Sequence, residues 1–368
     1  MTVAFFIGHH KTGSTALQTY LATNYLTLLR EGILYPAVDA EGSASNLAAA
    51  LKGADDQVDH SRMNVREPHN ALAFRLLNEA NEFPVPNWHP NLPQGFQMLH
   101  LIEAQIAALN PKHVVICSEV MSRFAEKGWR KTLPRLQNRF GERDCTIVLN
   151  LRRIDEYLAS WHLQRLKFGT VIKPLRQGAH ETYYAGVHFR FDQIVDRWSK
   201  AFPDARMRVR NYDDVMASGG SVQDFFTQAG IDYLPAEAND RLNTSIPYAM
   251  AEIVRQANIQ IPDDCRRVLN YVLDAMKRVP YAPNAEVELY GPIHRPAMAK
   301  AFAPVHKSLS AHVGLDGFFP DMAEAETCRP MPEIEAATAA LDALQNDVRD
   351  RTVPDVVKSF IANLKLED

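Results

Sequence analysis

The sequence predicts an α/β fold: a three-layer core with a mainly parallel sheet flanked by helices, followed by a helical carboxyl-terminal region. Two observations predict it. Short strand-like runs at Val3–Ile7, Ile33–Tyr35, His113–Cys117, Cys145–Leu151 and Arg206–Arg210 alternate with helical patterns, which is the signature of βαβ units. From about Ser221 onward the strand signal disappears, and helical patterns fill 221–229, 247–278, 294–314, 332–347 and 354–365. A third observation sets the scale: 368 residues, 46% hydrophobic and 23% charged, suffice for a sizeable buried core. The expected organisation is one α/β domain over 1–320, helical from about 221, and a carboxyl-terminal helical extension over 333–368. Met322–Pro332 is the expected linker between them.

The elements follow in order. Val3-Ala4-Phe5-Phe6-Ile7 is a buried strand, ended by Gly8. Leu17, Leu21, Tyr25 and Leu28 recur at helical spacing, so one amphipathic helix is expected from Ser14 to about Arg30, stopped by Gly32. Residues 37–95 are irregular, with helical patches at Asn46–Leu51 and Ala71–Glu82 and a surface loop punctuated by Pro84, Pro86, Pro90 and Pro93. Leu99–Leu109 is helical, a polar helix pair runs up to Phe140, and Ile154–Leu166 and Phe189–Phe202 are helices.

Composition excludes several classes. Lys+Arg 40 against Asp+Glu 44 gives a net charge of −4, which offers no reason to expect nucleic-acid binding. The four cysteines, Cys117, Cys145, Cys265 and Cys328, are far apart and form neither a zinc motif nor a disulfide framework. No apolar run approaches the ~20 residues of a membrane span. The amino terminus reads as a strand and not as a signal peptide, so the expected location is cytoplasmic.

The first chemical signal is Gly8-His9-His10-Lys11-Thr12-Gly13-Ser14-Thr15. It follows a strand and opens a helix, where free backbone N–H groups and the helix dipole favour an anion. Lys11 adds a full positive charge there, so the loop suits a phosphate or sulfate. The bland alternative is an ordinary strand–helix turn with a solvated lysine. It is not a Walker A loop, because Lys11 precedes Gly13 instead of following it.

The second signal is Arg152 at the carboxyl end of the strongest strand, with Ser160 eight residues later on the next helix. Such a pair suits the clamping of one phosphate at the ligand-binding edge of an open sheet. Taken alone, an ion-paired arginine and a surface serine explain it as well. Arg123 to Arg176 holds 13 Lys/Arg against 5 Asp/Glu, a local balance of +8 that would attract an anionic cofactor.

Lys11-Thr12-Gly13-Ser14-Thr15, with Ala16-Leu17-Gln18, resembles the 5′-phosphosulfate loop of bacterial sulfotransferases that use 3′-phosphoadenosine 5′-phosphosulfate (PAPS). Arg152 and Ser160 resemble that family's 3′-phosphate motif, although Arg153-Ile154 stands where Asp-Pro is usual. There Arg153 would add a second cation. Arg210-Asn211-Tyr212-Asp213-Asp214-Val215 is similar to its strand-end tyrosine segment, and Arg241-Leu242-Asn243-Thr244-Ser245 to an Arg-x-Asn-x-Ser segment. The resemblance covers roughly residues 3–320.

It implies a P-loop-NTPase-like core and transfer of a sulfuryl group from PAPS to an acceptor oxygen or nitrogen, leaving 3′-phosphoadenosine 5′-phosphate. Lys11 would stabilise the leaving phosphate oxygen. Thr12, Gly13, Ser14, Thr15 and Ala16 would hold the 5′-phosphate, Arg152 and Ser160 the 3′-phosphate, and Tyr212 the nucleotide. No metal is implied. The general base stays open among His69, Glu119 and His10. His69-Asn70-Ala71-Leu72-Ala73 is similar to a His-containing segment of bacterial members, Glu119 closes the Val114–Cys117 strand, and His10 adjoins Lys11.

The expected partner is a small-molecule or carbohydrate acceptor, with no nucleic acid and no membrane span. The Ala337-Ala340-Leu341-Leu344 stripe suits either packing on the core or self-association into a homodimer. Two readings compete with the sulfotransferase: a nucleotide-binding phosphotransferase and a nucleotide-binding protein without catalysis.

Overall fold

Thr2–Phe6 (β1), Ile33–Leu34 (β2), His113–Cys117 (β3), Asp144–Leu151 (β4) and Arg206–Asn211 (β5) form one all-parallel sheet in the order β2-β3-β1-β4-β5. The computed structural model describes residues 1–53, 62–233 and 245–366. These fall into two compact units, each assembled from separate stretches of chain. Unit 1 holds Met1–Arg152, Arg190–Leu242 and Ser308–Phe318, and unit 2 holds Arg153–Phe189, Asn243–Lys307 and Phe319–Asp368.

The sheet is the core of unit 1. A parallel sheet covered on both faces needs continuous apolar strands, and β1, β3 and β4 supply them. Val3 to Phe6, Val114 to Cys117 and Cys145 to Leu151 are all buried. Successive side chains of a strand point to opposite faces, and Phe5 and Phe6 show what covers each. Phe5 meets Phe140, Trp198 and Phe202 at ring separations of 5.6, 6.0 and 5.5 Å. The helices Trp129–Phe140 and Phe191–Ala201 therefore lie on one face. Phe6 meets Phe225 at 5.9 Å, so the helix Gly220–Ala229 lies on the other. This gives the three layers that the sequence predicts. Strand β5 is an edge, and Arg206, Met207 and Arg208 leave it partly exposed.

The strand order positions the site. From the central β1 the chain leaves toward β2 on one side, and from β4 it leaves toward β5 on the other. The loops after β1 and β4 therefore part at neighbouring strand ends, the place where open α/β sheets bind ligands.

Several elements differ from expectation for local reasons. The single helix expected over Ser14–Arg30 is two, Ser14–Thr23 and Tyr25–Arg30. Asn24 breaks it, donating from its side-chain amide to Tyr20 O at 2.9 Å, the local competition that keeps Asn out of helix interiors. The helical stretch 247–278 is interrupted after Gln260 by Ile261-Pro262-Asp263-Asp264, and the next helix begins at Cys265. Proline there has no N–H to continue the ladder. The polar helix pair before Phe140 is a 3-10 turn, Glu119–Ala125, followed by an α-helix.

Unit 2 is mainly helical but not strandless. Val287–Glu288 (β6) and Met331–Pro332 (β7) pair in parallel, and β7 lies within the stretch expected to be linker. The tail from 333 does not form a unit of its own. Its helix Glu333–Arg349 is held by Tyr271, whose hydroxyl donates to Leu344 O at 3.1 Å, and by Arg278, whose Nε lies 2.9 Å from Asp347 Oδ1. Ala337, Ala340, Leu341 and Leu344 are buried, so the apolar stripe is spent on packing within unit 2. No helix among the described residues is long and apolar enough to cross a membrane.

Candidate functional site

The loop after β1 is built to expose backbone N–H groups. Ile7 N donates to Val148 O at 3.0 Å and His9 N to Asn150 O at 3.1 Å, which carries the β1–β4 pairing past the strand end. The chain then turns sharply. Thr12 Oγ1 donates to His9 O at 2.6 Å and closes the turn. Lys11 sits at φ +67° and Gly13 at φ +88°. The other non-glycine residues with positive φ among the described residues are all asparagines, Asn81, Asn91 and Asn110. Asparagine tolerates this region, whereas a lysine there stores roughly 1–2 kcal/mol of strain. Gly13 has no such freedom to be replaced, because a Cβ at this position would lie 2.4 Å from Ser221 Cβ. Ser221 Oγ in turn donates to Gly13 O at 3.1 Å.

The helix Ser14–Thr23 begins with no side-chain cap. The N–H groups of Ser14, Thr15 and Ala16 thus lie in a first turn that no helix carbonyl reaches. Half-exposed Lys11 stands beside them. The loop, the dipole and the lysine together suit a tetrahedral anion.

Glu119 is the acidic group of this edge. It follows β3, which pairs directly with β1. Gln18 Nε2 donates to its Oε2 at 3.1 Å and Asn70 Nδ2 to its Oε1 at 3.2 Å, and the Ser14 hydroxyl also hydrogen-bonds to it. The same Asn70 amide reaches Glu67 Oε2 at 3.0 Å, so one asparagine bridges two carboxylates. Burial, and after it the charge of Glu67, push the Glu119 carboxyl up to about 7, more than its hydrogen bonds lower it. At neutral pH it is therefore poised to take or give a proton.

The two histidines of the open choice sit differently. His69 is fully buried and packs edge-on against Tyr35 at 4.8 Å. Its Nδ1 accepts from Cys117 N–H at 3.1 Å, which places the proton of the neutral ring on Nε2 and leaves no lone pair for a base. Burial holds it down at about 3. This arrangement suits a joint between the helix Pro68–Glu79 and β3. His10 lies in the loop itself, and burial, then the charges of His9, Arg123 and Lys11, hold it well below the ordinary histidine value. Neighbouring His9 is buried against Phe191 at 5.1 Å, and its Nδ1 accepts from His10 N at 3.0 Å.

Arg152 and Tyr212 come together. They close the adjacent strands β4 and β5, with Leu151 opposite Asn211, and the guanidinium lies 5.7 Å from the tyrosine ring centre. Ser160 lies on the helix Ile154–Lys167 of unit 2. Of the segment 241–245, positions 241–244 lie outside the described residues.

Arg153 is not a second cation for the same ligand. It is 3% exposed and bound to carboxylates on all sides. Its Nε donates to Asp155 at 2.8 Å, Nη1 to Asp321 and to Glu324 at 3.1 Å, and Nη2 to Glu156 at 3.3 Å. The wider basic excess of 123–176 is spent similarly. Arg135 pairs with Glu79, Arg139 with Glu103, and Arg176 with Glu252 and Glu333. The +8 balance of that segment is thus largely answered by acids from elsewhere in the chain, and local charge counts overstate the field at the sheet edge.

Comparison with known proteins adds little to this geometry. A protein of Archaeoglobus fulgidus described as an uncharacterized protein is 30% identical over 138 residues, 36% of this chain. The chain spans about 36% of that relative's length. No family model matches the sequence. No solved structure matches it.

The sequence singles out Lys11, Glu119, Arg152 and Tyr212 as candidates but gives no role to Gln18, Asn70 or Glu67. Gln18 and Asn70 stand inside the segments that carry the resemblance, yet nothing in their spacing says that they converge on one carboxylate.

Proposed function

We propose that the chain is a sulfotransferase on a P-loop-like core, transferring the sulfuryl group of PAPS to an acceptor hydroxyl of a carbohydrate or small alcohol. The observation that carries the reading is the pairing of the anion loop with the Glu119 carboxylate that follows β3, raised to about 7 and joined to the loop by the Ser14 hydroxyl. A loop alone fits any phosphate ligand. A poised proton acceptor beside it fits group transfer to a hydroxyl.

In this reading the N–H groups of the first helical turn hold the 5′-phosphate, and Arg152 with Tyr212 holds the 3′-phosphate end of the nucleotide. Ser160 joins Arg152 in the expectation from sequence. Glu119 takes the acceptor's proton as its oxygen bonds to sulfur. The sulfur–oxygen bond to the 5′-phosphate breaks, and its electron pair passes to the phosphate oxygen, where Lys11 meets the growing charge. Such transfers depend mostly on positioning and charge, as phosphoryl transfer does.

One observation favours the phosphotransferase instead. A carboxylate hydrogen-bonded to the loop serine is also what a magnesium site beside a nucleotide uses. The Walker arrangement that accompanies such a site is absent, because Lys11 precedes Gly13 instead of following it, and this keeps the sulfotransferase first. The test is turnover of PAPS with a panel of sugar and phenolic hydroxyls, followed by release of 3′-phosphoadenosine 5′-phosphate with and without Mg²⁺. Metal-independent, acceptor-dependent release is expected. Release of ADP from ATP that requires Mg²⁺, with PAPS inert, would hand the site to the phosphotransferase.

A further inference from the structure

Unit 2 holds a second group of reactive side chains that the proposed reaction does not use. His180 and Glu181 lie on the 3-10 turn Ala179–Tyr183, and His294 lies in the first turn of the helix Gly291–Val313, 114 positions from His180. One ligand atom from each comes within 4.8 Å of the others. We propose that these three residues bind a divalent transition-metal ion of the zinc type, with one coordination position left to water.

Three features carry this. The first is His180 itself. It is fully buried, yet neither of its ring nitrogens makes a hydrogen bond of ordinary geometry. Leaving a buried polar side chain unpaired is costly, and a bound ion would satisfy it.

The second feature is how the backbone admits the approach. The two imidazole rings stand 5.1 Å apart at 67°, edge to face, so they do not stack. Gly178 sits at φ +82° just before the turn, and a Cβ there would lie 3.2 Å from His294 Cε1. Glycine at this position lets the turn close over the second histidine.

The third is the chemistry of the set. Two imidazoles and one carboxylate suit zinc-type ions and not calcium or magnesium, which take oxygen ligands. Metal–nitrogen bonds of about 2.0–2.1 Å in a tetrahedron bring donors to about 3.3 Å of one another. Closing the observed spread to that spacing requires side-chain rotation, for which exposed Glu181 has the most room. Buried His180, half-buried His294 and exposed Glu181 leave the open position on the solvent side. The ion would pin the turn to a helix that lies far away in sequence.

The experiment is metal titration of the full-length chain after chelator treatment and gel filtration. Co²⁺ is read by its visible absorption and Zn²⁺ by calorimetry and by displacement of Co²⁺. One equivalent should bind, with the intense visible band of four-coordinate cobalt. His294→Ala and Glu181→Gln should each weaken Zn²⁺ at least about tenfold, with far-ultraviolet circular dichroism unchanged. Glu181 is exposed, so its variant keeps the test decisive if His294→Ala fails to fold. Cys328 is exposed and is the obvious rival ligand, so Cys328→Ser should leave binding intact. No stoichiometric uptake at about 0.1 mM metal, binding unaltered in Glu181→Gln, or binding lost in Cys328→Ser would overturn the proposal.

Discussion

The sheet edge of unit 1 and the interior of unit 2 use the same kinds of side chain to opposite ends. At the edge, Lys11 and Arg152 are half exposed, and Glu119 is surrounded by neutral hydrogen-bond donors and a second carboxylate. Inside unit 2, Arg153 and Arg295 are buried and saturated by Asp155, Glu288, Asp321 and Glu324. The pKa directions record the contrast. Glu119 is driven up by burial that its partners do not offset. Asp155 also feels burial pushing it up, but Arg153 and then Arg295 hold it below the ordinary carboxylate value. One carboxylate is kept ready to change its proton, and the other is kept from doing so. The adjacent arginines 152 and 153 therefore cannot be read as a pair, for one closes a strand beside Tyr212 and the other is locked in an acidic cage.

Glu119→Gln should break the edge most strongly. A general base is worth about 10²–10⁴ in rate, so turnover should fall by that factor while nucleotide binding is kept. If Glu119 is the base, the unmodified protein should gain activity as pH rises through about 7, where Glu119 loses its proton, and the variant should show no such rise. A rate profile that is flat in both proteins counts against Glu119 as the base. Stability runs the other way. The folded carboxyl binds its proton more tightly than the unfolded one, so between roughly pH 4.5 and 7 the native state holds more protons and stability declines as pH rises. In Glu119→Gln that decline should flatten.

Asp155→Ala sharpens the comparison from the other side. Removing one partner of a buried ion pair costs about 3–5 kcal/mol, here because Arg153 and Arg295 lose a shared acceptor. Denaturant unfolding should show it. Because Asp155 is depressed, its contribution is present above the unfolded carboxylate value and lost as pH falls through the folded one. A loss under about 1 kcal/mol would mean that the cage does not hold unit 2.

Lys11→Gly gives the smallest change in stability and the most informative sign. Relief of the left-handed backbone should raise stability by roughly 0.5–1 kcal/mol, after the entropy that glycine loses on folding. The same change should lower turnover about 10²–10³-fold, the worth of one charge aimed at a developing anion. A variant that is both less stable and fully active would remove Lys11 from the site.

Much of this was legible in the sequence, and the rest was hidden for physical reasons. Strands β1, β3 and β4 stand out because a parallel sheet buried on both faces needs unbroken apolar runs, and His113–Cys117 has the same bounds in sequence and structure. The loop was legible because Lys11 to Thr15 occupy consecutive positions. Strands β6 and β7 were not, since two residues show no periodicity. The fate of Arg153 was also hidden. Its partner Asp321 lies 168 positions away, and local spacing speaks only of Asp155 and Glu156. The surroundings of Glu119 come from the two helices Ser14–Thr23 and Pro68–Glu79 and the Glu67 before the second, so its raised proton affinity is a property of the fold and not of the motif.

The central claim is that this edge binds a 3′,5′-bisphosphorylated nucleotide without metal. Calorimetric titration with 3′-phosphoadenosine 5′-phosphate, with and without Mg²⁺ and beside ATP, tests it most directly. The account predicts metal-independent binding that prefers the bisphosphate over ATP and weakens roughly 10–100-fold in Arg152→Ala, the loss of a charged hydrogen-bonding group. No binding of the bisphosphate, or an Mg²⁺-dependent preference for ATP that Arg152→Ala leaves untouched, would contradict it.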